Sequence, residues 1–184
     1  MSRLHATLLR LRDWDVQVCL SFNRASRLHP LLLLFRAVSW LGNGVLWYAL
    51  MLALLLQDPL NAFGPVIHMA GTALAAMFTY KLLKRGTLRP RPYQVHQHIA
   101  AGAAPLDQFS FPSGHTLHAV AFSIVACAHY PALAIILLPF TLLVAASRMV
   151  LGLHYPSDVL AATGIGCALA GLSLWLVPGV SLFG

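Results

Sequence analysis

The sequence predicts an all-α protein, a polytopic membrane helix bundle with about five spanning helices and an N-terminal interfacial helical segment. Of its 184 residues, 59% are hydrophobic and only 9% are charged, with a mean hydropathy of +0.75. Soluble domains average about 45–50% apolar and about 25% charged residues. Apolar stretches of roughly 20 residues, the length that crosses a bilayer, recur along the chain. These observations exclude a soluble globular domain, and they also exclude disorder, which needs the opposite composition.

Residues 1–36 form the first predicted unit, an amphipathic interfacial segment. They hold six arginines mixed with leucine, valine and aromatic residues. Such a mixture is too charged to span a membrane and too apolar to stand free in water, which is typical of helices lying in the interface. A signal peptide is excluded because charges interrupt any apolar core, namely Arg10, Arg12, Asp13 and Asp15.

The second predicted unit, residues 37–177, is the membrane domain, and a short tail over 178–184 follows it. The five predicted spans are 37–56, 62–83, 113–130, 132–149 and 157–177. Pro131 separates the third span from the fourth, and Pro156 is placed to open the fifth. Residues 84–112 are too polar for lipid and too many for a tight turn, which is typical of a functional loop.

The charge balance points to an anionic partner. Twelve Lys and Arg residues against five acidic ones give a formal charge of +7, with no Glu. Nucleic acid is not expected as a partner because the chain offers little water-exposed surface, so the charge favours anionic lipid or a phosphorylated substrate. The three cysteines are few and far apart, and we interpret them as buried thiols: Cys19, Cys127 and Cys167.

Five spans would bring three polar segments to one side of the membrane: 84–112, the helix start at 113, and 147–157. Three cations in them would converge on a multiply charged anion, namely Lys84, Arg91 and Arg148. Ser113 and Gly114 would open a helix there, so that its N–H groups and dipole favour negative charge. These features predict a phosphate-binding site.

Two imidazoles supply candidate reactive groups. His154 and Asp158 are one helical turn apart, so the carboxylate can accept from one ring nitrogen and leave the other as an oriented nucleophile. His115 is suited to protonating a leaving oxygen. Because no cluster of acidic residues could hold magnesium, we expect a site that works without metal or another cofactor.

Three spaced motifs carry a resemblance to a known family. The patterns K-x6-R-P, P-S-G-H and S-R-x5-H-x3-D are met by Lys84/Arg91/Pro92, Pro112–His115 and Ser147/Arg148/His154/Asp158. In these motifs residues 37–177 resemble the type 2 phosphatidic acid phosphatase (PAP2) superfamily of membrane lipid phosphatases. One departure is that many members have six spans, whereas here a charged segment stands in place of the first.

The resemblance implies a role for each matching residue. His154 would be the nucleophile that becomes a phosphohistidine, Asp158 would orient it, and His115 would be the general acid. The phosphate would be held by the remaining motif residues: Lys84, Arg91, Ser113, Gly114 and Arg148.

The implied function is hydrolysis of a lipid phosphate monoester or diphosphate, such as undecaprenyl diphosphate. Phosphatidylglycerophosphate, phosphatidic acid and lipid A phosphate are alternative substrates. A lipid-headgroup binding or transport protein is a non-enzymatic alternative, but it would not need His154, Asp158 and His115 together. Haloperoxidases share the motifs, but they are soluble.

The predicted location is the plasma (inner) membrane. All twelve Lys and Arg residues fall on the side of the motifs, so the positive-inside rule favours a cytoplasmic site. The familiar bacterial relatives instead face their sites outward, which favours the periplasm.

The other polar residues are predicted to be structural. Lys81, Arg85 and Arg89 are interpreted as a positive flank at a helix end. His96 and His98 are interpreted as exposed loop residues, and His68 and His118 as hydrogen-bonded packing residues. Asp107 has no assigned role.

Overall fold

The computed structural model describes residues 3–177, which fold mainly into helices and contain no strand. Over this range the α-helices are α1 (Arg3–Asn23), α2 (His29–Trp40), α3 (Leu46–Gln57), α4 (Pro59–Thr87), α5 (Pro92–Val95), α6 (Gly114–His129), α7 (Ala134–Val150) and α8 (Pro156–Leu176). The predicted all-α membrane bundle is confirmed. The predicted tail, 178–184, lies outside the described residues.

Within residues 3–177, four stretches are long and apolar enough to cross a membrane: His29–Gln57, Pro59–Val95, Pro131–Val150 and Pro156–Leu176. Their outward-facing side chains are large and apolar, among them Leu52, Leu60, Ile135, Leu142 and Trp175. A protein with several such helices is a multi-pass membrane protein. The remaining predicted span corresponds to α6, which has 16 residues and packs against α4, α7 and α8 at the centre of the bundle.

The first spanning helix begins earlier than the sequence suggests. Helix α2 starts at His29, so the boundary placed after residue 36 falls inside it. Arg36 does not interrupt the helix because its guanidinium donates to the carbonyl of Gly102 in the long loop. A π-helical turn, Leu41–Val45, then joins α2 to α3.

Helix α4 extends beyond the predicted span at its C-terminal end. It begins after Asp58, whose side chain accepts from the backbone N–H of Asn61 at 3.3 Å, and it continues through 29 residues to Thr87. Lys84, expected at the start of the loop, therefore lies in the last turn of α4. A helix holds its side chains more firmly than a loop does, and this cation is fixed at the helix end.

Helix α6 forms the core of the bundle. Its first turn is capped by Ser113, whose hydroxyl oxygen lies 3.4 Å from the Thr116 backbone nitrogen. Phe122 on this helix packs against Trp47 of α3 with ring centroids 4.9 Å apart. Gly166 of α8 lets the two helices approach closely, because a Cβ there would lie 2.9 Å from the Leu117 carbonyl oxygen. The start of α6 is thereby held against α8.

Helix α1 is fastened to the loops at one end of the bundle. The Asn23 amide donates to the carbonyls of Val150 and Ala100 and accepts from the Ala100 N–H. Apolar side chains such as Leu11 and Trp14 remain exposed on the same helix.

The cysteines differ in their surroundings. All three are free thiols; Cys19 is buried and Cys127 is partly buried. Cys167 is exposed on α8, so the prediction of a buried thiol is wrong at this position. An outward-facing thiol on a spanning helix meets lipid and is as compatible with an apolar sequence as a buried one.

Candidate active site

A cavity of about 270 Å³ lies between the end of α4, the start of α6 and the π-helical turn. Its polar end is lined by Lys84, Arg91, Asp107, His115, Arg148 and His154. Its apolar end runs between α3 and α4 and is lined by residues including Met51, Ala70, Ala73, Leu74 and Met77. One cavity therefore combines a cationic pocket with an apolar groove.

The first two cations of the polar end are joined by Asp107. The Lys84 Nζ lies 2.7 Å from both carboxylate oxygens, and Arg91 donates to one of them at 2.8 Å. Partial burial alone would raise the pKa of Asp107, but the hydrogen bond and charge of Lys84, together with Arg91, hold it below the ordinary value. The sequence assigned no role to Asp107; in the structure it is a counter-ion that lines the cavity.

The third cation, Arg148, lies in the last turn of α7 and is almost fully buried. Its guanidinium donates to the hydroxyl of Ser39 on α2. Arg148 lines the cavity, and its Nε is buried without a hydrogen-bond partner among the described residues. The sequence did not single out Ser39.

Arg91 also contacts His154. Its Nη1 lies 3.2 Å from Nε2 of the imidazole and donates to the Leu153 carbonyl at 2.9 Å. A guanidinium can only donate, so Nε2 must be the unprotonated ring nitrogen. Burial, followed by the charges of Arg148, Arg91 and Lys84, holds the pKa of His154 well below its ordinary value. The imidazole is therefore neutral at pH 7, with its lone pair on the nitrogen nearest Arg91.

The other ring nitrogen of His154 faces Asp158. The distance from Nδ1 to Asp158 Oδ2 is 3.7 Å, longer than a hydrogen bond. Asp158 is fully buried at the start of α8, where Oδ2 accepts from the Tyr155 N–H at 2.8 Å. Nδ1 of His154 is buried and has no hydrogen-bond partner among the described residues.

Gly152 allows the chain to present His154 in this place. Its φ is +68°, and a Cβ would lie 2.5 Å from the Ala100 carbonyl oxygen. Only glycine meets both conditions without strain. The connection from α7 to α8 can therefore turn tightly beneath the long loop.

The predicted site residues of the P-S-G-H motif, at the start of α6, do not all reach the cavity. Gly114 and His115 line the cavity, so the second imidazole lies in the same space as His154. Ser113 is fully buried, and its hydroxyl is used within the helix, 2.9 Å from that of Thr116. Its backbone N–H donates to the Asp158 carbonyl at 3.3 Å, which ties the starts of α6 and α8 together.

Two charged residues outside the motifs lie beside Asp158. Arg89, interpreted from the sequence as part of a positive flank, donates to Asp158 at 2.7 Å and to Asp15 of α1 at 2.8 Å. The flank interpretation is wrong for Arg89, because two buried carboxylates require a cation between them. A signal existed in the sequence: five acids in an apolar chain must each find water or a partner.

The histidines outside the motifs are placed differently from one another. His96 contacts Tyr155 at 6.2 Å between ring centroids, and His98 is exposed in the loop. His68 is hydrogen-bonded to His129 and Ser173, as predicted for a packing residue. His118 packs beside Trp47 and also lines the cavity, which the sequence did not indicate. Across residues 3–177 no three His, Cys, Asp or Glu side chains are grouped to hold a metal ion.

Comparison with known proteins identifies relatives along most of the chain. The model of the family described as "PAP2 superfamily" matches residues 65–181. Phosphatidylglycerophosphatase B of Escherichia coli (strain K12) is 32% identical over 108 residues, covering 54% of this chain and 42% of the relative. The match thus spans less than half the length of that protein.

Two further relatives are covered more fully. The decaprenylphosphoryl-5-phosphoribose phosphatase of Mycolicibacterium smegmatis is 34% identical over 127 residues, or 67% of each chain. The crystal structure of a PAP2-type phosphatidylglycerolphosphate phosphatase from Bacillus subtilis superposes with a TM-score of 0.76, covering 95% of this chain and 90% of that one at 22% identity. The fold is therefore shared over nearly the whole chain.

Proposed function

The chain belongs to the PAP2 superfamily, and we propose that it is a membrane lipid phosphatase that acts through a phosphohistidine on His154. One observation carries the proposal: the cationic pocket and both imidazoles open into the same cavity as an apolar groove. A phosphate group bound at one end would leave a lipid tail to follow the groove. A protein that only bound headgroups would need the cations but not a neutral, oriented imidazole.

The first step forms the covalent intermediate. Nε2 of His154 attacks phosphorus, and the bond from phosphorus to the lipid oxygen breaks. His115, when protonated, gives its proton to the departing oxygen, which leaves as an alcohol or, from a diphosphate, as a lipid monophosphate. Lys84, Arg91 and Arg148 balance the charge that builds on the other phosphoryl oxygens.

The second step releases phosphate. Neutral His115 takes a proton from water as the water oxygen attacks the phosphohistidine, and the bond from phosphorus to nitrogen breaks. Orthophosphate leaves, and both histidines return to their starting protonation states. Asp158 stabilises the positive imidazole ring of the intermediate through Nδ1–H, as a carboxylate does for other histidine nucleophiles.

For the substrate, we propose a polyprenyl diphosphate or phosphate of the undecaprenyl diphosphate type. The relative from Mycolicibacterium smegmatis, whose name specifies a decaprenyl-linked phosphate, supports this choice because it is matched over two thirds of its length. Phosphatidylglycerophosphate is the second candidate, favoured by the names of the relatives from Escherichia coli and Bacillus subtilis. Phosphatidic acid and lipid A phosphate share the same phosphate chemistry.

We propose that the site faces the cytoplasm. The twelve Lys and Arg residues lie in residues 3–36, at 81–91 and at 148, whereas the sequence has none in 57–61 or 129–131, the connections that five spans would put on the opposite side. Even with Lys84, Arg91 and Arg148 set aside as phosphate ligands, the remaining cations favour the side of the motifs for the inside.

The experiment is phosphate release from a panel of lipids by purified protein in detergent. Undecaprenyl diphosphate, phosphatidylglycerophosphate, phosphatidic acid and lipid A are compared, with His154→Ala as the inactive control and His98→Ala as a matched exposed control. We expect polyprenyl diphosphate to give the highest kcat/KM. Preference for another lipid would overturn the substrate proposal, and equal activity of His154→Ala would overturn the mechanism.

A further inference from the structure

Asp15 is a buried carboxylate on α1, where Arg10, Arg12 and Asp13 are exposed. It is 2% exposed, whereas Asp13, two positions earlier on α1, is exposed. A carboxylate is buried only where partners replace its hydration. Asp15 has them: it accepts from the Ser157 N–H at 2.9 Å, from the Ser157 hydroxyl and from Arg89.

The contact with Ser157 caps α8 from another helix. Ser157 is the second residue of α8, and its N–H is one of the four that a helix start leaves without an internal partner. A side-chain oxygen normally supplies this bond from the residue just before the helix. Here Asp15 supplies it from 142 residues away, and its negative charge also suits the positive end of the helix dipole.

Arg89 connects this cap to the catalytic pair. Its Nη2 contacts Asp15, its Nη1 contacts Asp158, and its guanidinium carbon lies 4.2 Å from the centroid of the Tyr155 ring. Asp158 is thereby held at both oxygens, by Arg89 at Oδ1 and by the Tyr155 N–H at Oδ2. The direction of this carboxylate toward His154 depends on where Arg89 is held.

We propose that Asp15 and Arg89 are positioning residues for the reaction. Asp15 fixes Arg89, Arg89 fixes Asp158, and Asp158 orients the nucleophile His154. Helix α1 then contributes to the orientation of the nucleophile and is more than a membrane anchor. This inference rests on the proposed function, since it assigns Asp15 to the orientation of the same nucleophile.

Asp15 does not line the cavity, and this separates its role from substrate binding. Loss of its charge should slow the chemical step and leave affinity for a small phosphate ester unchanged. A misplacement of about 1 Å in a catalytic group can cost on the order of 100-fold in rate. The expected effect of moving Arg89 is therefore large even though Asp15 never touches the substrate.

The experiment compares Asp15→Asn with Asp13→Asn, the same change on the same helix, using a soluble aryl phosphate. We expect kcat to fall at least about 10-fold for Asp15→Asn, with KM within about 2-fold of wild type. Asp13→Asn should match wild type. A KM effect without a kcat effect, or equal behaviour of the two variants, would overturn the inference.

A double-mutant cycle with Arg89→Gln excludes a general loss of structure. If Asp15 acts through Arg89, Asp15→Asn should cost less than about 3-fold in kcat once Arg89 is replaced. Multiplicative losses would overturn the inference, because they would mean independent structural damage. If the losses are multiplicative but the wild-type protein is active and His154→Ala is not, the inference fails and the proposed function stands. If the wild-type protein is itself inactive, both the inference and the proposed function are overturned.

Discussion

Arg91 donates to Nε2 of His154 across 3.2 Å, so the guanidinium proposed to bind phosphate holds the lone pair of the proposed nucleophile. The two functions compete for the same N–H group. An incoming phosphate oxygen would take that group and free the lone pair next to phosphorus. Substrate binding and nucleophile release would then be one event.

Arg91→Lys tests this coupling. Lysine keeps the charge but lacks the planar fork that spans His154, Leu153 and Asp107. We expect kcat/KM for an aryl phosphate to fall at least about 10-fold, the loss of roughly 1.4 kcal/mol of transition-state stabilisation. Arg85→Lys, the same change at an exposed position of α4, serves as the control. Equal activity of the two variants would contradict the assignment.

His154 and His115 should behave differently in phosphoenzyme trapping. A nucleophile is needed to form the intermediate, whereas an acid matters mainly for poor leaving groups. With an activated aryl phosphate, His154→Ala should trap no phosphohistidine, and His115→Ala should still trap some. Acid quenching is avoided, and the labelled protein is measured at alkaline pH. If both variants trapped nothing, the roles would have to be reassigned.

Turnover should need no divalent cation. The charge on the phosphoryl oxygens would be balanced by Lys84, Arg91 and Arg148 together with the start of α6. Phosphate release measured with EDTA in excess should equal that in magnesium. Loss of activity in EDTA that magnesium restores would contradict this prediction.

Asp107 should weaken the binding of phosphate. Its carboxylate occupies Lys84 and Arg91, and its lowered pKa keeps it ionised at neutral pH. We expect Asp107→Asn to lower the inhibition constant of orthophosphate by about 3-fold or more, because a competing anion is removed. Asp13→Asn is the control. A raised inhibition constant would mean that Asp107 organises the cations instead of competing for them.

The orientation can be read from thiol labelling. In a cysteine-free variant, single cysteines replace Gln97 in the loop beside the site and Asn61 at the start of α4; both positions are exposed. In intact cells an impermeant reagent should label position 61 and not 97, and permeabilised cells should label both. Labelling of 97 alone would place the site outside and contradict the charge argument.

The motif residues could be brought together from sequence because helix ends are predictable. Prolines and polar runs mark where spans stop. Two predicted spans lie between the loop 84–112 and the connection 147–157, and two crossings return the chain to the same side, which puts Lys84, His115, Arg148 and His154 at one end. The structure places all four around one cavity. The apolar end of that cavity could not be predicted. An apolar residue of a spanning helix, such as Ala73 or Met77, looks the same in the sequence whether it faces lipid, the protein core or an open groove.

The contacts of the N-terminal helix were also beyond the sequence. Asp13 and Asp15 both interrupt an apolar pattern, and only packing decides that the second is buried against Ser157. The partners are 142 residues apart, so no local pattern links them. The role of Arg89 could not be predicted for a related reason. Several cations near the end of a spanning helix normally form a positive flank at the membrane surface, and a buried ion pair made by one of them leaves the hydrophobic periodicity unchanged.

The length of α4 has a consequence for how the reaction is measured. Its 29 residues give a rise of about 43 Å, against a hydrocarbon layer of about 30 Å. A helix of this length can place Lys84, in its last turn, at the depth of the lipid headgroups, where the proposed lipid phosphate would arrive by lateral diffusion with its tail still in the bilayer. For the proposed lipid phosphatase, the effective substrate concentration would be the mole fraction of substrate in the membrane or micelle surface. Adding inert detergent at constant substrate should slow the reaction by surface dilution alone.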